Sequence, residues 1–561
     1  MPASTLVATL VWLLLVTALV AWALTASAVP AALIAFCVAT SVLWITGLRA
    51  AALWGRAAAR GRGAVVGRAA ARGRAAAVGP GAARGRGAVG PGAARGHAAA
   101  VAPASTSLRI ALLYCVADDA DLAAMAASMR QDVAVATVIL DDSRTAAARA
   151  RIDAFAAHHG CRVIRRVDRS GFKAGNLNHG LTALRGRFDA YLLCDSDVIL
   201  PEDLARVCAA ALADPTVAIA QAAPLARAGS TWFARYFGPL LGTHVGVTRA
   251  GREARGVAIF LGRGALVRAS ALDDVGGVPT AVAEDLALTV ALRRRGWRVV
   301  NVDAQFAEDY PVDYRSFRTQ MRKTTEGAVE FLRGHLRPGR LRGVPGREAR
   351  DLLLETALVP AAALAGVVAL VSGAVLAATG TPAPLWVGAV AVAGAAMPLL
   401  PEAVRRVRAR GFAAGLVFTA LGGALYASTM FVVLGAALRT LLGGRAVFWV
   451  TPKTTAQLGV RAGFALLWPE LTVAPGLMLI VALAAGSPLF AAAAAGPLLL
   501  ALAFSVPMLR VRAPRRAQLL QNGAERVVSA PKAARGVRIG GVVHGRSRRP
   551  VPATAGVGPR A

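Results

Sequence analysis

Residues 5–24, TLVATLVWLLLVTALVAWAL, carry no charge and are long enough to cross a hydrocarbon core of about 30 Å as a helix. A second such run occupies 29–48, and five more lie near 353–379, 384–400, 412–438, 463–486 and 488–509. Between these groups the pattern changes to short apolar runs alternating with polar stretches of helical spacing. RIALLYCVADD (109–119) reads as a buried strand ending in acids, and ADLAAMAASMRQ after it as a helix. VATVILDDS (135–143) is another strand ending in acids, RTAAARARIDAFAAHHG a helix closed by Gly160, and CRVIRRV the next strand. This alternation predicts an α/β domain with a mostly parallel sheet, covered on both faces in three layers and inserted between transmembrane helices. The expected boundaries are a transmembrane hairpin at 1–48, a linker at 49–107, the α/β domain at 108–345, transmembrane and interfacial helices at 346–509, and a tail at 510–561.

Charge then orients these segments. The formal net charge is +33 across 561 residues, 56% of them hydrophobic, a composition that points to a polytopic membrane protein. From Arg49 to Ala100 there are ten arginines and no acid, in an Ala/Gly tract where GPGAARG occurs twice, and the tail from Arg510 carries twelve basic residues against Glu525. Both segments read as disordered, because Gly, Pro and Arg build no core. The positive-inside rule places them in the cytoplasm, making 1–48 an in-out-in hairpin of the plasma (inner) membrane and the central domain cytoplasmic. A signal peptide is not expected, since no basic stretch precedes the first run and a second follows at once. The basic loops at 401–411 and 439–453 both belong on the cytoplasmic side, yet the residues between them are too few to cross twice. An interfacial or re-entrant helix at 412–438, with six spans in all, satisfies both. Membrane lipids are expected partners of the linker and tail; nucleic acid is not, because no aromatic residues interleave with the arginines. Cys37, Cys115, Cys161, Cys194 and Cys208 show neither CxxC pairing nor zinc spacing and read as reduced thiols.

The acids of the central domain stand out against this charge. Asp118 and Asp119, Asp141 and Asp142, and Asp195 and Asp197 each follow a predicted strand, so in a parallel sheet they gather on the edge where ligands bind. Like charges so close repel unless a cation joins them. Asp195 and Asp197, two residues apart in CDSD, suit a hard divalent ion, Mg2+ or Mn2+, that completes its shell with substrate phosphates. An Asp-x-Asp tripeptide alone is more often a turn; its place after a strand, beside the sister pairs, favours the metal reading.

These motifs, in this order, resemble glycosyltransferase family 2, and within it the membrane-embedded cellulose synthase-like branch. The residues that carry the resemblance are ILDDS (139–143), GFKAGNLNHGL (171–181), CDSD (194–197), AEDLAL (283–288), QMRKTTEG (320–327) and FWVTPK (448–453). The resemblance implies a GT-A-type domain that moves a sugar, with inversion, from a nucleotide-diphosphate sugar such as a UDP-sugar to a growing polysaccharide. It implies donor-binding roles for Asp119, Asp141, Asp142, Lys173, Gln320, Arg322 and Lys323, with the metal on Asp195 and Asp197. Asp285 would be the base that deprotonates the acceptor hydroxyl, and 445–457 a gating loop with Phe448, Val450, Thr451 and Lys453. The chain departs from the family at Ala283, in place of threonine, and at Lys323 and Thr324, in place of arginine and tryptophan. Lysine neutralises phosphate without arginine's bidentate fork, and losing the aromatic removes a surface on which sugars stack. The alternatives are a non-processive transferase acting on a glycolipid or other lipid-linked acceptor, and a non-catalytic membrane scaffold. An accessory export subunit is a further partner compatible with the resemblance.

Overall fold

The structure is a computed structural model and describes residues 3–25, 30–59, 107–118, 120–227, 229, 231–337, 339–381, 384–447, 449, 451–453, 455, 457–485 and 495–508. Its central domain is built on β1 (Ile110–Val116), β2 (Val135–Asp141), β3 (Arg162–Arg165), β4 (Ala190–Asp195), β5 (Val217–Ala226), β6 (Ala265–Arg268) and β7 (Arg298–Glu308). They form one sheet in the order β3-β2-β1-β4-β6-β5-β7. β1 pairs in parallel with β2 and β4, β2 with β3, and β5 with β7, while β6 runs antiparallel between β4 and β5.

Side-chain alternation along each strand divides the core in two. Ile110, Leu112, Tyr114 and Val116 pack with Ile152 and Phe155 of the Ala146–His159 helix and Cys208 of the Leu204–Ala211 helix. Ala111 and Leu113 face the other way, toward Leu177 of the Phe172–Leu184 helix and Leu288 of the Glu284–Arg294 helix. The domain is therefore three-layered and mostly parallel, as the alternation of strands and helices predicts. Gly160 closes its helix in the left-handed conformation, with φ 66°.

Four helical segments are long and apolar enough to cross a membrane: Pro30–Ala57, Gly346–Ala378, Leu385–Arg410 and Phe412–Leu441. Val460–Leu466 and Trp468–Ala484, bent by 59°, make a fifth if they count as one, and Thr9–Leu24 and Gly496–Met508 are apolar but shorter. Among the described residues, length alone therefore supports fewer than the six spans expected from the apolar runs. The segment expected to be interfacial or re-entrant is a 30-residue apolar run, Phe412–Leu441, interrupted between Phe412–Ala427 and Met430–Leu441. At that break the Tyr314 hydroxyl of the α/β domain donates to Ser428 Oγ at 2.9 Å.

The linker begins later than composition suggests. Residues 49–59, expected to be disordered, continue the Pro30–Ala59 helix. Alanine is the strongest helix former, and the arginine that looked solvated has partners: Arg49 pairs with Glu355 at 2.8 Å and Asp351 at 3.2 Å on the Gly346–Ala378 helix. Arg252 and Arg255 converge on the same Asp351. The remainder of the linker, 60–106, and the tail, 510–561, lie outside the described residues.

The Tyr314–His335 helix joins the domain to the apolar helices. Its buried Arg318 forms a two-point pair with Glu470 of the Trp468–Ala485 helix, 2.7 Å on each arm. Removing one partner of such a pair costs about 3–5 kcal/mol, because the other charge is left buried.

Candidate active site

Because β1, β2 and β4 are parallel neighbours, the acids that follow them share one edge. Asp118 accepts from the Arg144 and Thr145 N–H groups at 2.9 and 3.0 Å, fixing the loop after β2. Buried Asp141 accepts from Arg165 at 2.7 Å and from the Ser143 N–H at 2.8 Å. Asp142 forms a two-point pair with Arg166 at 3.0 and 2.7 Å. Asp195 pairs with Lys173 at 2.7 Å, and Asp197 with Lys453 at 3.4 Å, while Lys453 also donates to Ser196 Oγ at 3.0 Å. The repulsion inferred from the sequence is thus offset by the chain's own arginines and lysines. No group of three or more His, Cys, Asp or Glu side chains able to hold a metal occurs among the described residues. Asp119 lies outside them.

A strained turn aims Lys173. Gly171 caps the Phe172–Leu184 helix at φ 72°, and Phe172 follows at φ 52°, the one non-glycine residue with positive φ among those described. Such a conformation costs about 1–3 kcal/mol. A Cβ on Gly171 would lie 2.9 Å from Thr280 Cγ2, so the turn is also tightly packed. The Lys173 ammonium reaches Asp195, the Gly262 carbonyl at 3.2 Å and Glu284 at 3.9 Å. Desolvation opposes its charge, but Asp195 and Glu284 outweigh it and raise its pKa. Desolvation likewise opposes the Asp195 carboxylate, yet Lys173 and Arg263 hold it down at about 2.

The Glu284–Arg294 helix opens on Glu284 and Asp285, in the first turn where the helix dipole favours acids. The Tyr314–His335 helix packs against this start through Gly327, where a Cβ would lie 3.2 Å from Val282 Cγ1 and 3.3 Å from the Ala283 nitrogen. That close approach brings Lys323, one turn earlier, into the field of the acid pair. Desolvation raises the pKa of Asp285 against the Leu286 N–H bond and Lys173, and raises Glu284 to about 7 against Lys173. Desolvation lowers the pKa of Lys323, with Glu284 opposing it. Gln320, on the same helix, has a buried Oε1 with no hydrogen-bond partner among the described residues.

Arg322 does not join this cluster. Its Nε donates to Glu326 at 2.9 Å and its guanidinium lies over the Trp449 ring at 4.3 Å. One residue is about 100° of helical rotation, so Arg322 and Lys323 face different neighbours. Glu326 is fully buried and also accepts from Arg439 at 2.8 Å, the Val447 N–H at 3.0 Å and Trp449 Nε1 at 3.3 Å. Ser316 donates to the Pro452 carbonyl at 2.8 Å. These bonds fasten Val447, Trp449 and Pro452 to the helix while Lys453 reaches Asp197. Thr451 is half-buried within that loop; Phe448 and Val450 lie outside the described residues. Glu326→Gln keeps the shape and removes the charge from this latch. Steady-state kinetics is expected to show donor KM raised roughly tenfold, the loss of about one charge-assisted hydrogen bond, with a smaller change in kcat.

Sequence reading missed Glu284, Arg263 and Glu308. Arg263 stands 4.0 Å from Asp195 and is held by Glu308 through two arms, one of 2.7 Å. The available signal was its setting in Gly-Arg-Gly just before β6, where Gly262 and Gly264 adopt φ 80° and 60°.

A mostly parallel sheet thus carries an acid edge, with a lysine-lined acid pair beside it and helices long and apolar enough to cross a membrane around it. The sequence profile described as glycosyl transferase family group 2 matches residues 192–504, more than half of the chain, and the chain belongs to that family. It is 27% identical over 163 residues to the glucans biosynthesis glucosyltransferase H of Xylella fastidiosa (strain 9a5c), a match covering 26% of this chain and 25% of that protein. The chain thus spans about a quarter of the length of this curated relative. Solved structures with partial likeness include the mannosyltransferase PcManGT from Pyrobaculum calidifontis in complex with GDP-Man and Mn2+, with TM-score 0.42 and 20% identity over 61% of this chain and 90% of that one. Another is S. aureus TarS, with TM-score 0.27 and 13% identity over 54% of each chain.

Proposed function

We propose that the chain transfers a sugar, with inversion, from a nucleotide-diphosphate sugar, such as a UDP-sugar, to a growing polysaccharide at the cytoplasmic face of the plasma (inner) membrane. The observation that carries this reading is the convergence of Asp285, Lys323, Lys173 and Asp195 at one strand edge. Asp285, its pKa raised by desolvation, takes the proton from the acceptor hydroxyl as that oxygen attacks the anomeric carbon in line. Lys173, Lys323 and Lys453 stabilise the negative charge that develops on the departing diphosphate. Buried Asp141, paired with Arg165, fixes the end of β2, so that the partly exposed Asp142 beside it, ordered by Arg166, meets the nucleoside, and Gln320 offers its unpaired oxygen to the donor. Glu326 holds Val447 and Trp449, and so keeps Lys453 within reach of Asp197.

Asp195 and Asp197 fit Mg2+ or Mn2+ as a two-carboxylate, hard-oxygen set whose remaining positions a diphosphate and water can fill. When bound there, the ion would neutralise the leaving diphosphate. Chelation of divalent metal is expected to abolish transfer, with Mg2+ or Mn2+ restoring it, and to leave the donor-free melting temperature unchanged, because Lys173 and Lys453 already balance the two acids. Full activity in excess chelator would contradict the assignment.

A second reading, single-sugar transfer to a lipid-linked acceptor, is favoured by the aromatic inventory. Thr324 is exposed where the family has tryptophan, and one face of nearby Trp449 is covered by Arg322. Incubating membranes with radiolabelled donor separates the two readings: extended polymer supports the first, and single-sugar glycolipid alone the second. Family membership and the assembled acid cluster leave the scaffold alternative without support.

A further inference from the structure

A cavity of about 880 Å³ lies between the Trp232–Glu253 helix, the β5–β7 pair and the basic end of the Leu400–Arg410 helix. No residue assigned to the candidate active site lines it. The basic end belongs to Leu385–Arg410, a segment long and apolar enough to cross a membrane, so these arginines sit where an apolar span becomes polar. Arg405 and Arg406 share one buried partner, Glu402, with Nε to carboxylate distances of 2.6 and 3.0 Å. Glu402 is fixed in turn by the Thr243 hydroxyl at 2.8 Å. One carboxylate against two guanidiniums leaves positive charge on this wall. Arg410, exposed, adds another, and Arg227, Arg235 and Arg249 line the cavity together with the acids Glu253 and Asp303.

Beside the polar Asn301, Asp303 and Gln305 of β7, other parts of the lining are apolar or aromatic. Arg406 lies over the Tyr236 and Phe418 rings, 4.6 and 4.0 Å from their centroids. Trp232, 56% exposed, stacks on Tyr236 at the rim with a centroid distance of 5.4 Å, in the manner of aromatic anchors at a membrane interface. Ala223, Pro224, Leu225 and Pro239 supply aliphatic wall. A soluble anion has no use for that wall, whereas a phospholipid has use for both parts. Basic pockets beside membrane helices suit anionic headgroups.

We propose that this cavity holds one anionic phospholipid, its phosphodiester against Arg405, Arg406 and Arg410 and the start of its acyl chains along the Trp232–Glu253 helix. The site rests on the Leu385–Arg410 segment crossing a membrane and is independent of the transfer chemistry.

The test uses the full-length protein in detergent with a phosphatidylglycerol carrying a photoreactive acyl chain, mapping adducts by peptide mass spectrometry. Adducts are expected to concentrate on 232–253 and 400–410. Unlabelled phosphatidylglycerol should compete about tenfold better than phosphatidylcholine, and water-soluble glycerophosphoglycerol should compete poorly. Arg410→Glu should lower labelling about fivefold or more, the effect of at least one basic contact, while Arg410→Lys retains it. Ala409→Leu, at a second exposed position, should narrow the mouth and reduce labelling too. Unchanged elution and melting temperature establish that the variants fold. Adducts spread evenly over the apolar helices, equal competition by phosphatidylcholine, or labelling unchanged in both Arg410→Glu and Ala409→Leu would overturn the proposal. Competition by glycerophosphoglycerol as strong as by the lipid would replace it with a soluble-anion site.

Discussion

Replacing Asp285 with asparagine is expected to lower kcat by about 10²–10⁴-fold, the usual contribution of a general base, while leaving donor binding nearly unchanged. Asparagine fills the same space at the start of the Glu284–Arg294 helix but cannot accept the acceptor's proton. Stability should move the other way or not at all. The folded pKa of Asp285 is raised, so the folded state holds this proton more tightly than the unfolded chain, and ionisation above the ordinary aspartate range near pH 4 works against folding. Asparagine removes that cost, and the variant should melt at or above the wild-type temperature at neutral pH. In the wild type, the acid limb of kcat should lie above the ordinary aspartate range, as a property of the Glu284–Asp285 pair rather than of either residue. An Asp285→Asn enzyme within tenfold of wild type would remove Asp285 from the base role.

Lys323 should produce the second large effect. Lys323→Met is expected to cost about 10²–10³-fold in kcat, since a preorganised cation at developing diphosphate charge is lost. Lys323→Arg should keep much of the activity and change its pH dependence. Desolvation lowers the Lys323 pKa below the ordinary lysine value of about 10.4, so its charge, and with it activity, should fall as pH rises through that lowered value. Arginine stays protonated throughout, and its variant should hold activity to higher pH. An alkaline limb that Lys323→Arg leaves in place would assign that limb to another group.

Much of the fold was legible because a parallel sheet buried on both faces writes its central strands as near-continuous apolar runs, and β1, β2 and β4 here run into acids. The α/β architecture and the shared acid edge follow from Ile110–Val116, Val135–Asp141 and Ala190–Asp195. What pairs with those acids was less legible, because the partners lie on other segments: Arg263 precedes β6, and Lys453 arrives from between the apolar helices. Arg165 and Arg166 were in view at the end of the third strand, but composition assigned the chain's positive charge to the linker and tail. The partners of Arg322 have a local cause. Its spacing to Glu326 is that of a helical i, i+4 ion pair, a signal present in the sequence and outweighed there by the motif. The 49–59 segment failed differently, since an Ala/Arg tract reads as disorder until the acids Asp351 and Glu355 give its first arginine a place to dock.

The most direct measurement compares the anomeric configuration of the transferred sugar with that of its donor. Protein in native membranes is given a panel of nucleotide-diphosphate sugars, nucleotide release identifies the donor used, and NMR of the product reads the new linkage. A single-displacement reaction at Asp285 predicts release of nucleoside diphosphate coupled to transfer with inverted configuration. Retained configuration, or transfer that persists undiminished in Asp285→Asn, would contradict it.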